Sequence, residues 1–262
     1  MKKQKLKTLG VIPARWGSTR FPGKSLTPIC GRPLIQWVIE RALKAAALDK
    51  VIVATDDRRI AGAATACGVE AVMTKAGHPS GTDRAAEAAG RYDAEVIVNI
   101  QGDEPAIDPE LINKLANVML VEKKWDMATA ASPISPPSEA GNPSLCKVVF
   151  NAEGQALYFS RCPIPFIRDK NRPAAENLFW RHIGIYLYRK KFLARFVAEP
   201  PCPLELAESL EQLRALHIGA RIKVIQTNDC GVGVDTPADV AAAEAALKSK
   251  KPGNRGQCLE RI

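Results

Sequence analysis

Apolar β-branched runs alternate with segments of helical period, and this alternation predicts the architecture. Leu9–Ala14, Val51–Ala54, Glu70–Met73 and Val96–Ile100 read as strands. Helices are predicted from Pro33 to about Ala46, after a Thr55-Asp56-Asp57 cap, from about Gly81 to Tyr92, and from about Pro109 to Val121. Strands interleaved with helices imply βαβ units and a mostly parallel sheet. The second half reads differently. Met127–Ala131 is a strand and Ser132–Pro137 a loop; Cys146–Phe150 and Gln155–Ser160 alternate about Asn151-Ala152-Glu153-Gly154 as a hairpin. A Pro- and Arg-rich loop from Arg161 to about Asn177 leads to the strand His182–Tyr188. Helices around Arg189–Val197 and Ala207–Leu216, the strand Ile222–Gln226 and a helix over Pro237–Leu247 follow. No linker separates two cores. The expectation is a doubly wound α/β domain over residues 1–248, with a β-rich insertion at about 127–200 and a basic tail at 249–262.

The net charge of +9 suggests nucleic acid until it is located. Lys2, Lys3, Lys5 and Lys7 carry four positive charges, and Lys248, Lys250, Lys251, Arg255 and Arg261 against Glu260 carry another four. The body is therefore almost neutral. It has no basic stripe with interleaved aromatics, so nucleic acid is not an expected partner. The cysteines number 7 and form no Cys-x-x-Cys pair, which disfavours a disulfide framework or structural zinc. Pro13 and Arg15 interrupt the first apolar stretch too early for a signal peptide, and no apolar run approaches the ~18 residues of a membrane span. A cytoplasmic protein without stable membrane insertion is expected.

The run Val96–Ile100 stops at Gln101-Gly102-Asp103-Glu104-Pro105, which places Asp103 at a strand end. In open α/β sheets, ligands bind in the crevice beyond those ends. The loop from Pro13 to Lys24 offers two glycines, two hydroxyls and three cations, a composition that can cradle phosphate oxygens; an ordinary basic loop is the alternative. Gly17 to Gly23-Lys24-Ser25 has one residue too many for a Walker A motif. Asp235, in Gly231-Val232-Gly233-Val234-Asp235, is either a second carboxylate for a hard cation such as Mg²⁺ or a helix cap before Pro237. The Gly231 run lacks the third glycine of a dinucleotide fingerprint. His78–Arg84 is either a base- or anion-binding loop or a helix cap. His182, Gly184 and Tyr186 share one strand face, suited to a sugar pocket or to a structural histidine. Glu211-Gln212-Leu213-Arg214 reads on its own as a solvated helix face.

Taken in order, Ile12-Pro13-Ala14-Arg15, Ser18-Thr19-Arg20, Pro22-Gly23-Lys24, Ser80-Gly81-Thr82-Asp83-Arg84 and Gln101-Gly102-Asp103-Glu104-Pro105 resemble the 3-deoxy-manno-octulosonate cytidylyltransferase family. So do Leu157–Arg161, Arg181–Tyr186, Leu210–Arg214 and Gly233–Pro237. The resemblance runs from about residue 9 to 247. It implies a nucleotide-diphospho-sugar transferase fold, a homodimer joined through the β-rich part, and a reaction of CTP with the sugar acid Kdo that yields CMP-Kdo and pyrophosphate for lipopolysaccharide assembly. It also implies roles. Ala14, Arg15 and Lys24 would bind CTP, with Arg15 and Lys24 on the triphosphate. Met73, Thr74, Ser80 and Gly81 would line the cytosine, and Asp103 and Asp235 would hold Mg²⁺. Arg84, Gln101, Arg161, His182, Tyr186, Glu211 and Gln212 would surround the sugar acid. Lys75, Gly77 and Cys162 depart from the family pattern. Competing readings are a cytidylyltransferase acting on the 8-amino relative of Kdo or on sialic acid, and a non-catalytic binding protein.

Overall fold

The structure, a computed structural model, describes residues 5–17, 21–169, 177–229 and 231–249. The Ser18-Thr19-Arg20 motif, the charges of residues 1–4 and of the tail at 250–262, part of the Pro- and Arg-rich loop (170–176), Cys230 and Cys258 lie outside the described residues.

In chain order the elements are β1 (Lys5–Ala14), β2 (Pro28–Ile29), β3 (Arg32–Pro33), α1 (Leu34–Leu43), β4 (Lys50–Thr55), α2 (Arg58–Ala66), β5 (Glu70–Met73) and α3 (Gly81–Ala89). They continue as β6 (Asp93–Asn99), α4 (Pro109–Val121), β7 (Met127–Pro133), β8 (Lys147–Phe150), β9 (Ala156–Ser160) and β10 (Trp180–Arg189). The last are α5 (Lys190–Ala198), α6 (Pro203–Glu208), α7 (Gln212–His217), β11 (Ile222–Gln226) and α8 (Asp239–Ser249).

The main sheet runs β11-β7-β10-β6-β1-β4-β5. Its neighbours are parallel except β10, which lies antiparallel between β6 and β7. Among the described residues between β9 and β10 there is no helix, and β10 enters the sheet reversed. The hairpin itself joins through the pair Arg181–Lys147, so the β-rich part is continuous with the sheet. The mostly parallel, doubly wound reading is thus borne out.

Both sheet faces are covered. On one, Ile12, Val53 and Val98 pack with Val38 of α1, Ile60 of α2 and Leu115 of α4. On the other, Val11, Ile52 and Ile97 pack with Ala85 of α3, Phe196 of α5 and Leu213 of α7. Strands buried on both faces read as continuous apolar runs, and each such aliphatic side chain contributes about 1.5–3 kcal/mol by leaving water. The helix starts follow their caps: Asp57 accepts from the Arg59 amide, Ser80 from Thr82 and Asp83, and Asp108 from Glu110, just before Pro109.

Several element readings need correction: the helix read from Pro33 to about Ala46 spans Leu34–Leu43, and the first strand starts at Lys5 rather than Leu9. The single helix expected at 207–216 is two short ones, because Ser209 adopts a left-handed conformation (φ 51°) that ends α6. The helix read to Tyr92 stops at Ala89. A third apolar cluster packs Ala243, Ala246 and Leu247 of α8 against Ile29 and Leu34, and the Cys30 amide donates to Glu244 at 2.7 Å. The last helix is thereby fastened to the region just after the first loop. Among the described residues, no helix is long and apolar enough to cross a membrane.

Candidate active site

The loops after β1, β4, β5 and β6 leave one edge of the sheet together. Between them lies a cleft of about 250 Å³ lined by Ala14, Arg15, Lys24, Ser80, Gly81, Arg84, Gln101, Asp103 and Asp235, among others. Nine of the candidate residues therefore meet in one place. A larger groove, of about 780 Å³, runs between α4, β11 and the β8–β9 turn, away from every one of them. Chemistry rather than volume selects the site.

The cleft depends on one close backbone approach. A Cβ at Gly102 would lie 2.6 Å from the Pro13 carbonyl oxygen, so only glycine lets the β6 loop cross that of β1. Gly23 turns the β1 loop at φ 72°, and its amide donates to the Trp16 carbonyl at 3.0 Å. Lys24 is delivered just beyond it. Its ammonium donates to Asp103 Oδ2 at 2.6 Å and to Asp235 Oδ1 at 3.2 Å. The Asp235 side chain turns toward that ammonium, whereas its own amide and that of Thr236 donate to Asp239. Two carboxylates closed on one cation form a hard-oxygen donor set, and the ammonium is the stand-in ion. Among the described residues no cluster of three or more His, Cys, Asp or Glu side chains gathers, so a divalent cation here would draw its other ligands from phosphate and water.

Arg84 is only 1% exposed. It donates to Thr74 Oγ1 at 2.7 Å and to Asp56 Oδ2 at 3.0 Å. The other oxygen of Asp56 accepts from the Trp16 amide, and the Trp16 ring lies 3.3 Å beneath the Arg59 guanidinium. Arg84 thus ties the β5 loop to the β4 end and, through Asp56, to the β1 loop. Sequence reasoning took Asp56 only as part of a helix cap, although it follows a strand end just as Asp103 does. Met73 ends β5 partly exposed, and its carbonyl accepts from Arg91. His78 and Lys75 of the following loop are both fastened to Glu87.

The remaining candidates form a second cluster behind the cleft. Glu211 accepts from Ser80 Oγ at 3.2 Å, Thr82 Oγ1 at 3.0 Å and Arg214 Nη2 at 3.2 Å. Burial pushes its carboxyl above the usual range, against the pull of those donors. It is no solvated face. It joins α7 to the start of α3. Gln212 accepts from the Tyr186 hydroxyl at 3.2 Å and donates to Cys146 Sγ at 3.5 Å. The His182 ring stands 5.3 Å from that of Tyr186, which keeps the two on one face as expected, and it pairs with Thr129 at 2.9 Å. Burial, aided by Arg181, lowers the His182 pKa to about 3, so the ring is neutral at physiological pH. Arg161 spends its guanidinium on the carbonyls of Pro143, Glu208 and Ser209. Its own carbonyl accepts from Lys147, a fully buried ammonium that also serves Asn142 and Leu145.

The cytidylyltransferase family model matches residues 9–222. The 3-deoxy-manno-octulosonate cytidylyltransferase of Bdellovibrio bacteriovorus is 50% identical over 246 residues, covering 94% of this chain and 99% of its own length. The enzyme of that name from Geobacter metallireducens is 47% identical, over 90% and 95%. Among solved structures, CMP:2-keto-3-deoxy-manno-octonic acid synthetase complexed with CTP superposes with a TM-score of 0.87 at 42% identity, covering 94% of this chain and 100% of that one. A mostly parallel sheet whose loops bring a basic turn and two carboxylates together, and likeness over nearly the full length, lead to one conclusion: the chain belongs to the 3-deoxy-manno-octulosonate cytidylyltransferases, a family of nucleotidyltransferases.

Proposed function

We propose that this protein couples CTP to Kdo, releasing pyrophosphate and forming CMP-Kdo for lipopolysaccharide assembly, in the cytoplasm and as a homodimer. The observation that carries the chemistry is the closure of Asp103 and Asp235 on the Lys24 ammonium at the strand ends. In this reading Arg15 and Lys24 neutralise the triphosphate, while Ala14, Met73, Thr74, Ser80 and Gly81 hold the base and ribose end. Gln101 reaches the sugar acid from the cleft. Tyr186, His182, Gln212 and Glu211 shape its pocket, and Arg84 and Arg161 act from their carbonyl- and carboxylate-bound positions.

Mg²⁺ held by Asp103 and Asp235 would lower the pKa of the attacking anomeric hydroxyl and neutralise phosphate charge. The protein's part is alignment: two anionic substrates must meet with hydroxyl oxygen, α-phosphorus and leaving pyrophosphate in line. For that, Lys24 exchanges its carboxylate partners for phosphate oxygens. A neutral His182 can donate to or accept from a sugar hydroxyl without adding charge. Residues 1–248 are proposed to act as one catalytic domain.

The test is pyrophosphate release from CTP and Mg²⁺ with Kdo, its 8-amino analogue and sialic acid offered separately. Release with Kdo is expected. Release with another sugar alone would overturn the substrate, and release with none would overturn the activity.

A further inference from the structure

Asp103 and Asp235 stand 132 positions apart in the chain, on loops that share no secondary structure. Their convergence needs something to hold the second loop against the first. One link is a backbone bond, Val234 N–H to the Asp103 carbonyl, at 2.9 Å. The other is a side chain to which no catalytic duty falls. Glu104 points away from the cleft into the 231–233 turn, where its carboxyl accepts from the Val232 amide.

The turn is built around that carboxyl. A Cβ at Gly231 would stand 3.1 Å from Glu104 Oε2, and one at Gly233 would stand 3.2 Å from Oε1. Gly231 also adopts φ 56°, which side chains other than glycine rarely tolerate. Oε2 is buried and has no hydrogen-bond partner among the described residues. Leaving a buried acceptor unmatched costs about 1–3 kcal/mol, so the group is held there against its own solvation preference. The Gly-Val-Gly run, which lacks the third glycine of a dinucleotide motif, thus has another explanation as the cradle of an acidic side chain.

We propose that Glu104 is a positioning residue: a buried strut that fixes the 231–235 loop, and with it Asp235, at bonding distance from Lys24 and from any cation Asp103 holds. Its consequence for metal binding rests on the metal role proposed above; its consequence for the loop does not. Glu104→Gln keeps the shape and an acceptor for Val232. Glu104→Ala removes the strut and leaves space in the cradle.

Two readouts separate these claims. Hydrogen exchange of metal-free protein should speed up across 231–236 in Glu104→Ala and stay near wild type in Glu104→Gln. In the presence of CTP, Mn²⁺ half-saturation followed by electron paramagnetic resonance should rise at least tenfold in Glu104→Ala and less than threefold in Glu104→Gln. Gly233→Ala should weaken Mn²⁺ binding in the wild-type background and be nearly silent in Glu104→Ala, where the added methyl has room. A strut that merely stabilised the fold would lower the melting temperature without this non-additivity. Unchanged exchange over 231–236 in Glu104→Ala would overturn the proposal. Faster exchange, with wild type that binds no Mn²⁺ beside CTP, would uphold the strut and overturn the metal reading instead.

Discussion

Lys24 holds the two carboxylates to which a divalent cation is proposed to bind, so the ammonium would compete with that cation for the same oxygens. Removing the ammonium has an outcome unusual for an active-site change. Lys24→Met should bind Mn²⁺ about tenfold more tightly than wild type without nucleotide, yet lose turnover by about 100-fold, because in the proposed reading the triphosphate would lose a positioning cation. Titration calorimetry and pyrophosphate release check the two halves. Asp103→Asn should reduce turnover similarly while changing stability by about 1 kcal/mol or less, since its ion pair is partly exposed. His182 gives a pH prediction. Its folded pKa of about 3 lies below the ordinary 6.5, so between those values the unfolded chain binds a proton that the folded chain refuses. That contribution to stability is complete above pH 6.5 and is lost as pH falls toward 3. His182→Gln should lose less melting temperature than wild type between pH 7 and 5; parallel acid slopes would show that the ring is not held neutral.

Turns rather than strands set the geometry of the cleft, and the crossing of the β1 and β6 loops is the tightest of them. Gly102→Ala should cost about 1–3 kcal/mol and displace Asp103, because the new methyl meets backbone that no rotamer change can relieve. Gly62→Ala, on α2 with open space around it, is the control: neutral, or stabilising by up to about 1 kcal/mol. Thermal melts and turnover of both variants decide the matter. Strand and helix periods were legible because core burial enforces them, as in β5, α4 and β11, whose observed bounds equal those expected. Where local conformation overrules period, reading failed: Ser209 breaks a helix that the pattern continued. The lower part of β1 was also missed, since Lys5 and Lys7 alternate outward around buried Leu6 and Thr8. The strand-end rule located Asp103. It could not reveal that Arg84 is locked to Asp56, or that Glu211 faces inward, because both facts depend on which loops the fold brings together.

Across the whole molecule, the sheet collects chemistry from distant stretches of chain. The cleft draws on the first loop, the turns after β5 and β6, and the approach to α8, which packs back on the region around Ile29. The pair of Lys24 and Asp235 spans 211 positions. Contacts of such separation form late and slowly, after much loop entropy has been lost. On the ribosome this orders events in time. The N-terminal half can build its strands and its basic loop early, yet Lys24 faces Asp103 alone until Asp235 leaves the exit tunnel. A nascent chain therefore presents Lys24 with one of its two carboxylate partners. In the proposed site the second carboxylate thus arrives only just before α8, late among the described residues.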